Sequence, residues 1–221
     1  MSSTAKIADF DYDATGTTTR VCSVSVPRYS GRNSIIIFVA VYQAYPDTAP
    51  TVTGVTYGST NVGSPVHSMS YSPDNLAMRL YCFGYEPANG EASAVTITAT
   101  LSGTPTNCVM FVYSLTNSIY IGHQAEDVQA TETDLTSSDY TKRAGIAVGC
   151  VFAFTATAVA SYQGSSIDQS KIMTGAAAGA YHEYVGQTKT VLSGAQTGVD
   201  VHHLHIQVSL DTHKEDVSIW M

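Results

Sequence analysis

The chain has 221 residues, of which 44% are hydrophobic and only 13% charged, and its formal net charge is -8. Ten Lys+Arg against eighteen Asp+Glu, with Lys142-Arg143 the longest basic run, exclude nucleic acid as an expected partner, because binding a phosphate backbone needs clustered cations. No run approaches the roughly 18 to 20 apolar residues of a membrane span, and a sequence rich in Val, Ile, Thr and Tyr favours pleated strands over helices.

Residues 1–17 show little apolar periodicity and read as an N-terminal arm ahead of one β-sandwich domain over residues 18–221. The start of the chain has no apolar stretch of signal-peptide length, so synthesis in the cytoplasm without export is expected. Within the arm, Asp9, Asp11 and Asp13 alternate as in a calcium loop. Such a loop also needs a turn glycine and a bidentate acid at its end, where this sequence has Ala14 and Arg20. The expectation is therefore a solvated acidic arm that docks on a neighbour.

Strand signals begin at Val21–Val26 and continue after Ser30-Gly31-Arg32-Asn33 with Ile35–Tyr42, an unbroken apolar run whose β-branching predicts a strand buried on both faces. Pro46-Asp47 and Ala49-Pro50 make a turn, Val52–Tyr57 alternates, and Gly58-Ser59 reverses into Thr60-Asn61-Val62 as a hairpin. Further runs follow at Leu76–Tyr85, Ala92–Leu101, Cys108–Leu115, Gly145–Ala153, Tyr181–Gln187, Val199–Leu210 and Val217–Met221, parted by turns such as Ser102-Gly103-Thr104-Pro105. About ten short strands without intervening amphipathic helices predict an all-β, antiparallel, jelly-roll-like sandwich. The order apolar strand, alternating strand, Ser-Gly turn, apolar strand in Ile35–Val41, Val95–Leu101 and Val109–Leu115 recurs in Ile146–Phe152, Thr188–Leu192 and Val201–Leu210, a faint internal echo.

Cys22, Cys82, Cys108 and Cys150 all fall inside apolar runs with no C-x-x-C spacing and read as buried thiols. His203 and His205 share a strand face by alternation and are weak metal candidates, lacking two further ligands at recognisable spacing. Glu126, Asp127, Glu132, Asp134 and Asp139 read as a polar surface loop. Fourteen tyrosines offer flat, hydrated rings, with Tyr42, Tyr45, Tyr57 and Tyr71 as sugar-stacking candidates. No nucleophile elbow, P-loop, zinc-protease or dinucleotide motif occurs, so neither an enzyme nor a cofactor is expected.

In the segments Ser34–Val41, Thr51–Gly58, Met78–Phe83 and Val95–Gly103, over about residues 30–210, the chain resembles the β-sandwich domains of bacteriophage virion proteins and some bacterial surface proteins. The resemblance implies a structural or surface-display role and brings no catalytic residues with it. The expected function is a virion structural protein, a phage head decoration (cement) protein or a tail component. It would form a homo-oligomer, a trimer by particle geometry, and contact virion proteins such as the major capsid protein. Its interface candidates are Asp9, Asp11, Asp13 and the apolar Ile219, Trp220 and Met221. The alternative is a carbohydrate-binding or host-adsorption module that recognises a cell-surface glycan.

Overall fold

The computed structural model describes residues 5–13, 17–24, 33–44, 47–72, 76–87, 94–116, 118–132, 134–137, 146–154, 161–162, 165–166, 168–173, 176–184, 192–195 and 201–212. These residues contain no helix and are built from antiparallel strands. The first nine are β1 (Ala5–Asp13), β2 (Thr19–Val24), β3 (Asn33–Ala44), β4 (Val52–Tyr57), β5 (Thr60–Asn61), β6 (His67–Tyr71), β7 (Leu76–Tyr85), β8 (Val95–Leu101) and β9 (Asn107–Thr116). The next nine are β10 (Ser118–Glu132), β11 (Asp134–Ser137), β12 (Ile146–Ala153), β13 (Ser161–Tyr162), β14 (Ser165–Ser166), β15 (Gln169–Met173), β16 (Ala176–Tyr184), β17 (Leu192–Ala195) and β18 (Val201–Thr212).

In the first half, β1 pairs with β9, β2 with β8, β3 with β7 and β4 with β5, as in one long hairpin. That hairpin is folded over so that β3 also pairs with β9 and β4 with β8. The resulting sheets, β1-β9-β3-β7-β6 and β2-β8-β4-β5, have the strand order of a jelly roll, with β6 added beside β7. The second half repeats the plan nine strands later: β10 pairs with β18, β11 with β17, β12 with β16 and β13 with β14, while β12 also pairs with β18. Its large sheet, β10-β18-β12-β16-β15, matches that of the first half strand for strand. The faint echo in the sequence is therefore a repeated topology: β3 corresponds to β12 and β9 to β18.

Burial explains why β3 is a continuous apolar run. Its even residues Ile36, Phe38, Ala40 and Tyr42 enter a core shared with Val148, Cys150 and Phe152 of β12 and Leu204, Ile206 and Val208 of β18. Its odd residues Ile35, Ile37, Val39 and Val41 enter a second core with Val55, Tyr57, Ile97, Ala99 and Leu101 of the small sheet. A strand between two sheets has no solvent side, so alternation disappears. The first large sheet thus lies between its own small sheet and the large sheet of the second half. Contacts between the halves are reciprocal: β6 packs near β18, and Asp168, which leads into β15, is hydrogen-bonded to Tyr113 of β9 at 2.6 Å. Reciprocal contacts of this kind are what a two-fold-like packing of repeats gives.

Local chemistry fits the elements. In the β4–β5 hairpin Gly58 is the first of two turn residues and has φ of 58°, the positive φ that two-residue hairpin turns demand there and side chains resist. Three regions differ from the sequence expectation. Residues 5–13, read as an arm, form β1, an edge strand in register with β9. Glu126, Asp127 and Glu132, read as loop, belong to β10, and Asp134 begins β11. β10 is polar because it is an edge strand, and its pairing with β18 is broken by three register shifts, where bulges and charges are tolerated. Pairing with a long apolar partner overrides the weak strand propensity of its own residues.

Candidate functional site

A polar recess lies at one end of the first jelly roll, between the connection from β3 to β4 and the turn from β8 to β9. It is an open recess of about 460 Å3 lined by Gln43, Asp47, Arg79 and Ser102 together with Thr48–Thr51 and Gly103-Thr104. That volume lies within the range of small-molecule sites, about 300 to 1,000 Å3. Two turns legible in the sequence, Asp47–Pro50 and Ser102–Pro105, close it.

The backbone of these turns is held by side chains from the opposite wall. Thr51 N donates to Ser102 Oγ at 3.0 Å and Ser102 N to Thr51 O at 2.9 Å, which locks one turn against the other. Gln43 Oε1 accepts from Thr106 N at 3.0 Å, so the donors of its amide remain available. Arg79, on β7, donates from Nε to Ala49 O at 2.9 Å. One edge of the guanidinium is thereby fixed to the turn, and its terminal nitrogens keep their donors for the recess. Asp47 is exposed, and among the described residues its carboxylate has neither a hydrogen bond nor an ion pair. The recess thus offers donors from Arg79 and Gln43 and acceptors from Asp47 beside the half-buried ring of Pro50.

The residues singled out by sequence lie elsewhere. Tyr42 is 6% exposed and faces the core between the halves, where its ring lies 6.5 Å from that of Phe154, while Tyr57 is 5% exposed in the other core, with its ring 4.9 Å from that of Tyr85. Tyr71 is half-buried against the same core as Tyr42, and Tyr45 lies outside the described residues. The buried rings of Tyr42 and Tyr57 thus lie in two different cores, and Tyr42 and Tyr71 flank Met78 on one face of the first large sheet. Burial pushes the Tyr42 hydroxyl above its ordinary pKa.

His205 is wholly buried on the face of β18 turned away from the shared core, in register with Val151 of β12 and Asp127 of β10. His203 stands two positions earlier, in register with Ala153 and Gln129. Among the described residues no three of His, Cys, Asp and Glu are grouped so as to hold a metal ion. Asp9, Asp11 and Asp13 are in register with Val112, Met110 and Cys108. An extended strand separates alternate residues by about 6.8 Å, so its backbone does not wrap a cation as a calcium loop does. Ile219, Trp220 and Met221 lie outside the described residues.

Arg20, which enters the sequence argument only as a mismatch to a calcium loop, is 1% exposed. Its Nη1 donates to Thr19 O at 2.6 Å and to Thr17 Oγ1 at 2.5 Å, so it staples the entry to β2. Cys82, Cys108 and Cys150 are buried free thiols, and Cys82 of β7 and Cys150 of β12 belong to the core between the halves. Burial pushes both thiols well up, and for Cys82 the neighbouring Cys150 adds to the effect. Comparisons with protein-family models, with curated proteins and with solved structures give no match.

Proposed function

We propose that this chain is a structural protein of a virus particle, a bacteriophage head decoration protein or tail component, that acts through contacts with its own copies and with neighbouring virion proteins such as the major capsid protein. One observation carries the reading. Among the described residues the large hydrophobic side chains left exposed are Val21, at 48%, and Ile172, at 47%. Both belong to edge strands, β2 of the first small sheet and β15 of the second large sheet. Exposed apolar side chains on the last strands of sheets offer surface that a neighbouring chain can bury.

The architecture supports the same reading. Jelly rolls recur in capsid and lectin domains, although a fold alone assigns no function. Here two such halves pack through their large sheets, and β1, β2, β5, β6, β10 and β15 end their sheets among the described residues.

The test is light scattering coupled to size exclusion on the full chain, alone and mixed with isolated capsids, for the parent and for Val21→Lys and Ile172→Lys. A closed oligomer, expected to be a trimer, that adds to particles and is weakened by either lysine supports the proposal. A monomer that adds to no particle overturns it.

A further inference from the structure

We infer that the recess between the β3–β4 and β8–β9 connections is a binding site for a neutral sugar, held through a pair of adjacent hydroxyls by Arg79 and Asp47. The inference goes beyond the assembly role proposed above and does not depend on it.

Net charge selects the class of ligand. Arg79 and Asp47 line the same recess, so the site bears one formal positive and one formal negative charge, and neither is spent on an ion pair among the described residues. A carboxylate or phosphate ligand would gain from Arg79 but meet Asp47, within a chain whose net charge is already -8. A wholly apolar ligand would strand both charges away from water. A vicinal diol satisfies the two together: its oxygens accept from the guanidinium, and its hydroxyl protons go to the carboxylate. Charge-assisted bonds of this kind are the stronger ones.

The donors are also positioned before any ligand arrives. The Nε bond to Ala49 O fixes the plane of Arg79, and the Gln43 amide is oriented by its bond to Thr106 N. Little side-chain freedom is then lost on binding, which is where preorganised sites gain affinity. The half-buried ring of Pro50 supplies an apolar surface for the C–H face of a pyranose. Gly103 lies beside that ring, since a Cβ placed there would meet Pro50 at 3.7 Å.

The experiment is a titration of the 15N-labelled full chain with methyl α-D-mannoside, methyl β-D-galactoside, methyl α-L-rhamnoside and galacturonate, followed by amide shifts. At least one neutral glycoside is expected to move the amides of Thr51, Ser102, Gly103 and Thr104 saturably, with a dissociation constant on the order of 1 mM, as suits a small polar ligand. Asp47→Ala should weaken it at least about tenfold, and Arg79→Lys, which keeps the charge but loses the planar fork, by a similar factor. Asp47 is exposed and its side chain supports nothing in the fold, so Asp47→Ala keeps the test valid if Arg79→Lys disturbs folding. Three results overturn the inference: no saturable shift with any neutral glycoside, shifts that persist undiminished in Asp47→Ala, or galacturonate binding more tightly than every neutral glycoside. None of them bears on whether the chain assembles on particles.

Discussion

Tyr113 of β9 donates a 2.6 Å hydrogen bond to Asp168 Oδ2 at the entry to β15, so a wholly buried side chain of the first jelly roll is tied to a surface carboxylate of the second. The same ring meets Phe38 edge to face, with centroids 6.5 Å apart. Tyr113 thus packs its ring against its own sheet and ties its hydroxyl to the second half.

Tyr113→Phe keeps the ring and removes the donor. Hydrogen bonds to charged acceptors contribute about 1.5 to 3 kcal/mol, and the solvent-exposed end of this one lowers the expected loss to about 1 to 2 kcal/mol. Asp168→Asn should lose less, since its amide oxygen still accepts. Urea unfolding of both single variants and the double variant checks this: the two losses should be clearly non-additive, and simple additivity would refute the coupling.

Phe152, on β12, is wholly buried in the core that contains Phe38, Phe111 and Leu80 of the first half. Phe152→Ala should destabilise by about 3 to 5 kcal/mol. Because the core is continuous, the loss should shift a single unfolding transition instead of detaching a second-half transition from the first. Calorimetry, with the ratio of calorimetric to van't Hoff enthalpy, distinguishes the two.

The buried thiols predict an alkaline limit to stability. Burial raises the pKa of Cys82 and Cys150 above the ordinary 9.0. Below that value both folded and unfolded chains hold the protons, and the thiols add no pH dependence. Above it the unfolded chain ionises while the folded chain does not, so stability falls as pH rises, by up to about 1.4 kcal/mol per pH unit for each thiol. Unfolding midpoints measured near about pH 8 and about pH 10 should diverge in the parent and converge in the Cys82→Ala/Cys150→Ala variant. In the native state at neutral pH neither thiol should react with iodoacetamide until the chain unfolds.

Gly58 has φ of 58° at the head of the β4–β5 turn, and its N–H donates to Thr96 O at 2.8 Å. A Cβ there would stand 3.5 Å from Val95 Cγ1, an ordinary contact, so backbone strain rather than collision sets the penalty. Gly58→Ala should destabilise by about 1 to 2 kcal/mol. A thermal scan showing an unchanged or raised midpoint would contradict the turn assignment.

The all-β class, the doubly buried Ile35–Tyr42 strand, the β7 boundaries and the Gly58 hairpin were legible because each depends on local chemistry: β-branching, periodicity, and the backbone freedom of glycine. The repeat was legible only as an echo, since two halves can share a topology with little in common but the order of their apolar strands. β1 and β10 were not legible. An edge strand needs no apolar face, and the partners that order Asp9–Asp13 and Glu126–Glu132 lie about a hundred and about eighty residues away in sequence.

The recess shows the same division. Its two turns could be read from Pro46-Asp47, Ala49-Pro50 and Ser102-Gly103. That these turns meet, that Arg79 reaches them from β7 and that Asp47 shares the space was decided by the pairing of β3 with β7 and β4 with β8. The tyrosines stood out in composition, but strand alternation sent Tyr42 and Tyr57 into two different cores. Local chemistry thus set which segments are strands and where they turn. Which side chains converge depended on long-range register, because a strand's side chains have a face only once its neighbours are fixed.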